Sequence, residues 1–190
     1  QPAPCVEVKI ADPASGAVRP LGAPGEICAR GYQTMLGYFA QPEASETTLG
    51  ADGWLKTGDQ GTMDAEGYLR ITGRLKDCVI RGGENIYPRE IEELLHQHPA
   101  IEDVYIVGVP DKKYGEELLA WVKLRQGQHA SSDELRDFCK ASLTHFKVPR
   151  YWKFVDSFPT TVTGKIQKFK IREQGIVDLG LQDAAKIEMA

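Results

Sequence analysis

Asp59 follows a Thr-Gly pair in residues 54–59 (WLKTGD), a setting that suits a carboxylate for ligand binding. A vicinal diol, such as the 2′,3′-pair of a ribose, offers two hydrogen-bond donors at a spacing that one carboxylate can accept. An aspartate at this place can also simply cap the turn through its own backbone. Both interpretations stay open at the level of this segment.

Lys165 also follows a Thr-Gly pair, in residues 159–165 (PTTVTGK). Its ammonium group stands on a flexible stem and could stabilise a developing negative charge. The loop is not a P-loop, because the GxxxxGK[ST] spacing is absent. Residues 140–174 hold eight basic and two acidic side chains. Such a run is ordinarily a solvated face, and an anion site for phosphates is the functional alternative.

Two further segments lie in the middle of the chain. In residues 73–77 (GRLKD), Arg74 offers a fork of donors for phosphate or ribose oxygens, although a charged linker would explain it too. In residues 81–85 (RGGEN), Gly82 and Gly83 would let the backbone approach a ligand closely. A turn into the helix that begins at Pro88 accounts for the two glycines equally well.

Local patterns place these segments on a β-rich first part and an α+β second part. Alternation and turn residues predict strands at 6–10 and 25–31, a hairpin at 61–73, and a short helix within 40–52. After Arg74 the pattern becomes β–α–β–β–α–β. The second part is predicted to contain strands at 78–81, 101–109, 117–124 and 151–155, a helix from Pro88 to Pro99, and a helix from a Ser131–Glu134 capping box to Pro149. We therefore predict an α+β fold.

The amino-acid composition excludes several classes of protein. The 190 residues are 42% hydrophobic and 26% charged, which excludes wholesale disorder, and the net charge of −4 argues against nucleic-acid binding. No apolar run approaches the ~20 residues of a membrane span. The four cysteines form no CxxC pair, so free thiols and a cytoplasmic location are expected, while a targeting segment before Gln1 would redirect the protein to an organelle.

Histidine spacing gives no metal site. His96 and His98 would point apart on a helix, so no metal ligand set is predicted on this chain. The length is also short for an enzyme that encloses a nucleotide and a second substrate. Together with a first residue that is not Met, this favours a fragment of a longer chain.

Taken in order, the segments resemble the C-terminal third of the acyl-adenylate-forming ligases: acyl-CoA synthetases, luciferase and peptide-synthetase adenylation domains. The likeness is strongest to medium-chain and fatty acyl-CoA synthetases. The matching stretches are Gly25-Glu26-Ile27 through Gly37-Tyr38, WLKTGD at 54–59, GRLKDCVIRGGENIYPREIE at 73–92 and PTTVTGKIQKFKIRE at 159–173.

The resemblance implies a two-step reaction. Family members join a carboxylate to ATP, release pyrophosphate, and pass the acyl group to the thiol of CoA, while a C-terminal lid rotates between the steps. Residues 1–73 would then be part of a distorted β-barrel, 74–77 a hinge, 78–175 the mobile lid with a small sheet flanked by helices, and 176–190 a tail. The partners would be ATP, CoA and a small carboxylic acid, with Mg²⁺ held mainly outside this chain.

Single residues take roles by the same resemblance. Asp59 corresponds to the ribose-binding aspartate, Arg74 to an arginine that contacts ribose and phosphate, Lys165 to the adenylation lysine, and Lys76 to the hinge. The residues that resemble the CoA-binding positions are Gly82, Gly83, Tyr114, Phe146 and Lys147. Val148 stands where a relative can offer a basic residue, which puts that contact in doubt.

Three parts of the family machinery are not in this sequence: the Ser/Thr/Gly-rich phosphate loop, the Tyr-Gly-x-Thr-Glu motif, and the acyl pocket. The chain alone is therefore predicted to be inactive, and its parent active. Two alternatives stay open. One is an adenylation domain that loads a carrier-protein thiol, although residues 82–88 (GGENIYP) resemble the CoA-ligase form. The other is a non-catalytic interaction module with the same fold.

Overall fold

A computed structural model describes residues 1–188, with side chains for residues 1–185. The chain divides into two compact units, Gln1–Lys76 and Asp77–Ala190, and each is described by itself. The first unit combines an antiparallel sheet with one short α-helix, and the second combines a mostly antiparallel sheet with several helices, so the predicted α+β class is confirmed.

The first unit is built on a four-stranded antiparallel sheet. In chain order its strands are β1 (Val6–Ala11), β2 (Gly25–Gly31), β3 (Leu55–Met63) and β4 (Leu69–Arg74), and helix α1 (Pro42–Thr48) connects β2 to β3. Each strand pairs only with its neighbours in sequence. Closing a barrel requires the first and last strands to be linked through the sheet. The sheet formed by residues 1–76 is therefore open and forms no closed barrel.

The second unit contains a five-stranded sheet in the order β6-β5-β8-β7, with β9 also on β8. The strands are β5 (Val79–Arg81), β6 (Glu84–Ile86), β7 (Ile101–Asp111), β8 (Gly115–Leu124) and β9 (Tyr151–Phe154). Only the β8–β9 pair is parallel. The four strands predicted for this unit are confirmed. Strand β6 was not predicted, because two glycines precede it and it has only three residues.

Four helices complete the second unit: α2 (Pro88–Leu95), α3 (Ser132–Lys140), α4 (Lys168–Asp178) and α5 (Gln182–Glu188). The Ser131 side chain accepts a hydrogen bond from the Glu134 amide at 3.2 Å, so the predicted cap of α3 is confirmed. Helices α2 and α3 end several residues before Pro99 and Pro149, where the sequence analysis ended them. Residues His145–Lys147 form a separate 3₁₀ turn, η2. Helices α4 and α5 were not predicted.

Strand β8 separates two apolar clusters, because its alternate side chains point to opposite faces of the sheet. Leu118, Ala120 and Val122 face α2 and α3, whereas Leu119 and Trp121 pack with Ile171 of α4. The sheet of the second unit is thus covered by helices on both faces. This arrangement gives the loops at the sheet ends a rigid base.

Candidate functional site

Asp59 and Arg74 face each other across β3 and β4. They are directly paired in the register of the two strands, and Arg74 Nε donates a hydrogen bond to Asp59 Oδ1 at 3.0 Å. The Arg74 side chain is 58% exposed and that of Asp59 27% exposed, so a ligand can reach both. A carboxylate has about four acceptor sites, so the Arg74 bond leaves room for further donors.

An irregular segment of β3 projects Asp59 from the sheet. Between the pairs Glu26–Gln60 and Cys28–Lys56, residues 57–59 lie opposite the single residue Ile27. Thr57 Oγ1 donates to the Ile27 carbonyl at 2.7 Å and accepts from the Asp59 amide at 3.1 Å. Thr57 thus fixes the backbone of the turn. The Asp59 carboxylate does not cap the turn and instead accepts a hydrogen bond from Arg74.

Glu26 is a further part of this turn that the sequence analysis did not single out. Its side chain is buried, and its Oε1 accepts a hydrogen bond from the Gly58 amide at 3.1 Å. The Gly25-Glu26 pair lies in one of the stretches that resemble the family, and this was the sequence signal that could have identified Glu26. Glu26 therefore supports the Asp59 loop from the neighbouring strand.

Lys165 lies at the end of a tight loop in the second unit. Thr160 and Ile166 form an isolated antiparallel bridge, and the Thr161 amide donates to the Lys165 carbonyl at 2.8 Å. The Lys165 amide in turn donates to Thr161 Oγ1 at 3.1 Å. These bonds fix the backbone of the loop, while the Lys165 side chain is exposed.

The Lys165 ammonium group differs from those of three other lysines in the second unit. Lys147, Lys153 and Lys168 each form an ion pair, with Glu90, Asp178 and Glu92 respectively. Among residues 1–185, no ion pair or side-chain hydrogen bond engages the Lys165 ammonium. The loop thus presents an uncompensated positive charge on a constrained backbone.

Gly82 and Gly83 form the two-residue turn of the β5–β6 hairpin. Their φ angles are +59° and +87°, as a turn with two left-handed residues requires. The Gly82 amide donates to the Tyr114 carbonyl at 2.8 Å, and a Cβ at Gly82 would lie 3.3 Å from Tyr114 Cδ1. The structure therefore brings together three of the five residues that the resemblance assigns to CoA.

Tyr114 is held by its neighbours on the second unit. The Arg81 guanidinium carbon lies 4.4 Å from the ring centroid and Lys113 Nζ 4.8 Å from it. Asp111 Oδ1 accepts hydrogen bonds from the Lys113 and Tyr114 amides, each at 2.9 Å. Burial disfavours the Asp111 carboxylate, but these amides and the charge of Arg150 outweigh it and lower its pKa.

Four charged residues are linked to Tyr114 directly or through one another. Arg81 Nε donates to Glu117 Oε1 at 2.7 Å, and Arg150 Nη1 donates to Asp111 Oδ2 at 3.2 Å. The bond to Glu117 raises the pKa of Arg81. We call these residues the Tyr114 network: Arg81, Asp111, Tyr114, Glu117 and Arg150. The sequence analysis assigned a role only to Tyr114 of this set. Arg81 and Arg150 lie far from it in sequence, and Glu117 opens a segment that reads as an apolar strand, whereas Asp111 is close in sequence and was not singled out.

Phe146 and Lys147 lie in the 3₁₀ turn η2, apart from the Gly82-Gly83 turn. Phe146 and Val148 are half-buried against the larger apolar cluster. Lys147 Nζ binds both carboxylate oxygens of Glu90 in the first turn of α2, at 2.8 and 2.7 Å. No hydrogen bond or ring contact joins Phe146 or Lys147 to Tyr114 within residues 1–185. Their side chains have structural partners of their own.

Lys76 is exposed in the short 3₁₀ turn Leu75–Asp77, where the first unit ends. Within the described part of the chain, no group of three or more His, Cys, Asp or Glu side chains could hold a metal ion. No helix there is long and apolar enough to cross a bilayer.

Two family sequence models match the chain. The AMP-binding enzyme C-terminal domain matches residues 90–165, and the AMP-binding enzyme matches residues 1–39. The chain is 54% identical over 173 residues to YngI of Bacillus subtilis strain 168, a candidate acyl-CoA synthetase by name, covering 91% of this chain and 32% of YngI. It is 48% identical over 171 residues to the mitochondrial medium-chain acyl-CoA ligase of Bos taurus, covering 90% and 28%. The chain thus spans about a third of the length of these relatives.

Solved structures share the fold. ATP-bound MatB from Rhodopseudomonas palustris superposes with a TM-score of 0.86 at 35% identity, covering 90% of this chain and 34% of that one. The o-succinylbenzoate CoA synthetase of Bacillus subtilis, in complex with its acyl-adenylate intermediate, has a TM-score of 0.81 at 37% identity, covering 92% and 34%.

Proposed function

The chain belongs to the AMP-binding enzymes, of which it is a C-terminal part, and from this premise we propose that its parent is an AMP-forming acyl-CoA synthetase for medium-chain or fatty acids. The observation that carries the proposal is Lys165, an exposed lysine with a free ammonium group at the end of a backbone-constrained loop. The acyl chain length rests on the named relatives.

In the first half-reaction, a carboxylate oxygen attacks the α-phosphorus of ATP. A C–O–P linkage forms and the bond to pyrophosphate breaks. Lys165 stabilises the negative charge that develops on the transferring oxygens. Asp59 accepts hydrogen bonds from the ribose hydroxyls, and Arg74 binds ribose or phosphate oxygens from the same sheet edge. We assign Mg²⁺ mainly to groups outside this chain.

In the second half-reaction, the CoA thiol attacks the acyl carbonyl, the thioester forms, and AMP leaves. We assign the approach of the pantetheine arm to the Gly82-Gly83 turn, where glycines leave the backbone accessible, and the CoA nucleotide to the side of Tyr114. Phe146 and Lys147 are kept as more distant contacts of that nucleotide. Lys147 would first have to release Glu90, which makes it the weaker of these assignments.

Separating the two half-reactions tests the proposal. In the full-length enzyme, Lys165→Ala should reduce acyl-adenylate formation by ~10²–10³-fold, because one preorganised positive charge is lost from the transition state. Thioester formation from supplied acyl-adenylate and CoA should persist. Lys170→Ala, at another exposed lysine, is the matched control and should leave both rates unchanged. An equal loss of both half-reactions in Lys165→Ala would contradict the assignment.

A panel of carboxylic acids tests the substrate class. CoA-dependent release of pyrophosphate, measured with acids from two to eighteen carbons, should be greatest for medium or long chains. Transfer to a carrier-protein thiol in place of CoA would favour the carrier-loading alternative. Absence of pyrophosphate release with every acid would favour the non-catalytic one.

A further inference from the structure

Glu117 is the most deeply buried charged side chain of the described residues. It is 1% exposed and lies on β8, whose other inward side chains are apolar. A carboxylate loses its hydration on burial, which is costly unless a cation and hydrogen bonds replace the water. An apolar residue would fill this place at lower cost. The presence of a charge here therefore calls for a role beyond packing.

The two carboxylate oxygens of Glu117 have unlike surroundings. Oε1 accepts the Arg81 Nε bond at 2.7 Å and a bond from the Leu118 amide at 3.1 Å. Oε2 is buried with no hydrogen bond. Arg150 Nη1 lies 4.0 Å from Oε2, beyond hydrogen-bond distance. Arg150 is 55% exposed and bonds to Asp111, so Arg81 is the partner that Glu117 holds firmly.

Arg81 connects Glu117 to the turn. Its guanidinium group contacts the Tyr114 ring, and Arg81 directly precedes Gly82, whose amide donates to the Tyr114 carbonyl. Arg81 is also the one residue of β5 that pairs with β8, opposite Gly115. Through its side chain and its backbone, Arg81 thus helps to fix the positions of the Gly82-Gly83 turn and of Tyr114.

We infer that Glu117 is a positioning residue of the Gly82-Gly83 turn, acting through Arg81 to hold the turn and Tyr114 in one arrangement. A buried ion pair has a narrow range of favourable geometries, so it fixes orientation where apolar contacts tolerate sliding. Any effect of Glu117 on CoA binding rests on the proposed function, whereas its positioning of the Gly82-Gly83 turn does not.

Hydrogen exchange in the 190-residue chain tests the positioning directly. In Glu117→Gln, the Gly82 amide should exchange roughly 10–100-fold faster by NMR, because the charge-assisted bond that anchors the turn is weakened. The Arg81 Nε–H signal should broaden or disappear. The Val122 amide, near the far end of β8, should be unaffected. Unchanged exchange at Gly82, or an equal acceleration at Gly82 and Val122, would overturn the inference, the second by showing a purely structural role.

Two further variants keep the test decisive. Glu102→Gln removes a carboxylate that pairs with Lys123 at 2.6 Å on the exposed part of the same sheet, and it should leave Gly82 exchange unchanged. Arg81→Lys keeps the positive charge but removes the planar group and its Nε donor. It should accelerate Gly82 exchange as Glu117→Gln does. It covers the case in which Glu117→Gln does not fold.

The full-length enzyme gives the functional readout. Glu117→Gln should raise the KM for CoA about 10-fold and leave the adenylation rate within about twofold of wild type, since only the Gly82-Gly83 turn and Tyr114, the proposed CoA contacts, lose their fixed position. Equal losses in both half-reactions would refute a specific effect on these CoA contacts. If the wild-type enzyme itself forms no acyl-adenylate, the proposed function fails, while the exchange result still decides the positioning role.

Discussion

Cys139 shows how strongly the interior of the second unit affects a single ionisable group. It lies on the inner face of α3 with no exposed surface. Burial raises the pKa of its thiol from the ordinary value of 9.0 to about 11. All four cysteines are free, as the absence of close cysteine pairs predicted.

This shift has a definite sign for stability. Between pH 9 and 11 the unfolded chain loses the Cys139 proton and the folded chain retains it, so the free energy of unfolding falls as pH rises through that window. We expect the stability difference between wild type and Cys139→Ala to shrink by on the order of 2 kcal/mol across it. Urea unfolding at pH 8 to 11 measures the effect. A constant difference would show that the thiolate is solvated in the fold.

The residues of the candidate site were predictable to an unequal degree. Asp59, Arg74 and Lys165 stand in short motifs that could be singled out from the sequence, and the family resemblance supplies the role predicted for each. The partners of Tyr114 could not be found in this way, because Arg81 and Glu117 lie 36 positions apart and meet only through the pairing of β5 with β8. Glu117 also gives no sequence signal of its own, since it directly precedes the continuous apolar run at residues 118–122.

Among the elements, the β5–β6 hairpin depends most on backbone conformation. Gly83 has a φ of +87°, and a Cβ there would meet no atom within 4 Å. Gly83→Ala should therefore destabilise the chain by roughly 1–2 kcal/mol through backbone strain alone. Gly83→Asn should cost clearly less, because asparagine tolerates the left-handed region. Thermal unfolding of both variants checks this, and equal losses would indicate that the turn changes conformation instead.

Helix α4 illustrates why some elements cannot be predicted from the local sequence. It has no side-chain N-cap, and Gly175 within it is a poor helix former. Its stabilising contacts are distant in sequence: Lys168 pairs with Glu92, and Arg172 Nε donates to the Gly108 carbonyl at 2.9 Å. A Cβ at Gly175 would lie 2.2 Å from Leu119 Cδ2, so the glycine allows close packing on the sheet. Tertiary contacts, not local pattern, make this helix.

At the scale of the whole molecule, the proposed ligand contacts are divided between the two units. Asp59 and Arg74 lie in the first, and Lys165 in the second. Two or three exposed charge-assisted hydrogen bonds contribute ~2–4 kcal/mol before the entropy of association is subtracted. The isolated 190-residue chain should therefore bind ATP no better than roughly millimolar. Calorimetry should detect no binding at micromolar concentrations, and no pyrophosphate should be released. A micromolar dissociation constant would show that these residues form a complete site.

The boundary between the units gives a second prediction at this scale. Lys76 is the last residue of the first unit, and proline fixes φ near −65°. If the lid rotates about this position, Lys76→Pro in the full-length enzyme should allow one half-reaction and block the other. Adenylation is expected to persist while thioester transfer is lost. A comparable loss of both, in a protein that unfolds at the wild-type temperature, would argue for a pivot elsewhere.

The position of α4 also determines where the protein can be shortened. The helix begins three residues after Lys165, and its Ile171 is fully buried against Val109 and Leu119 on the second face of the sheet. A chain that stopped just after Lys165 would keep every predicted ligand contact and yet leave that apolar face open to water. It would be expected to aggregate, not to act as a minimal lid. Lys165 and helix α4 should therefore be kept together in any shortened or chimeric version of the protein.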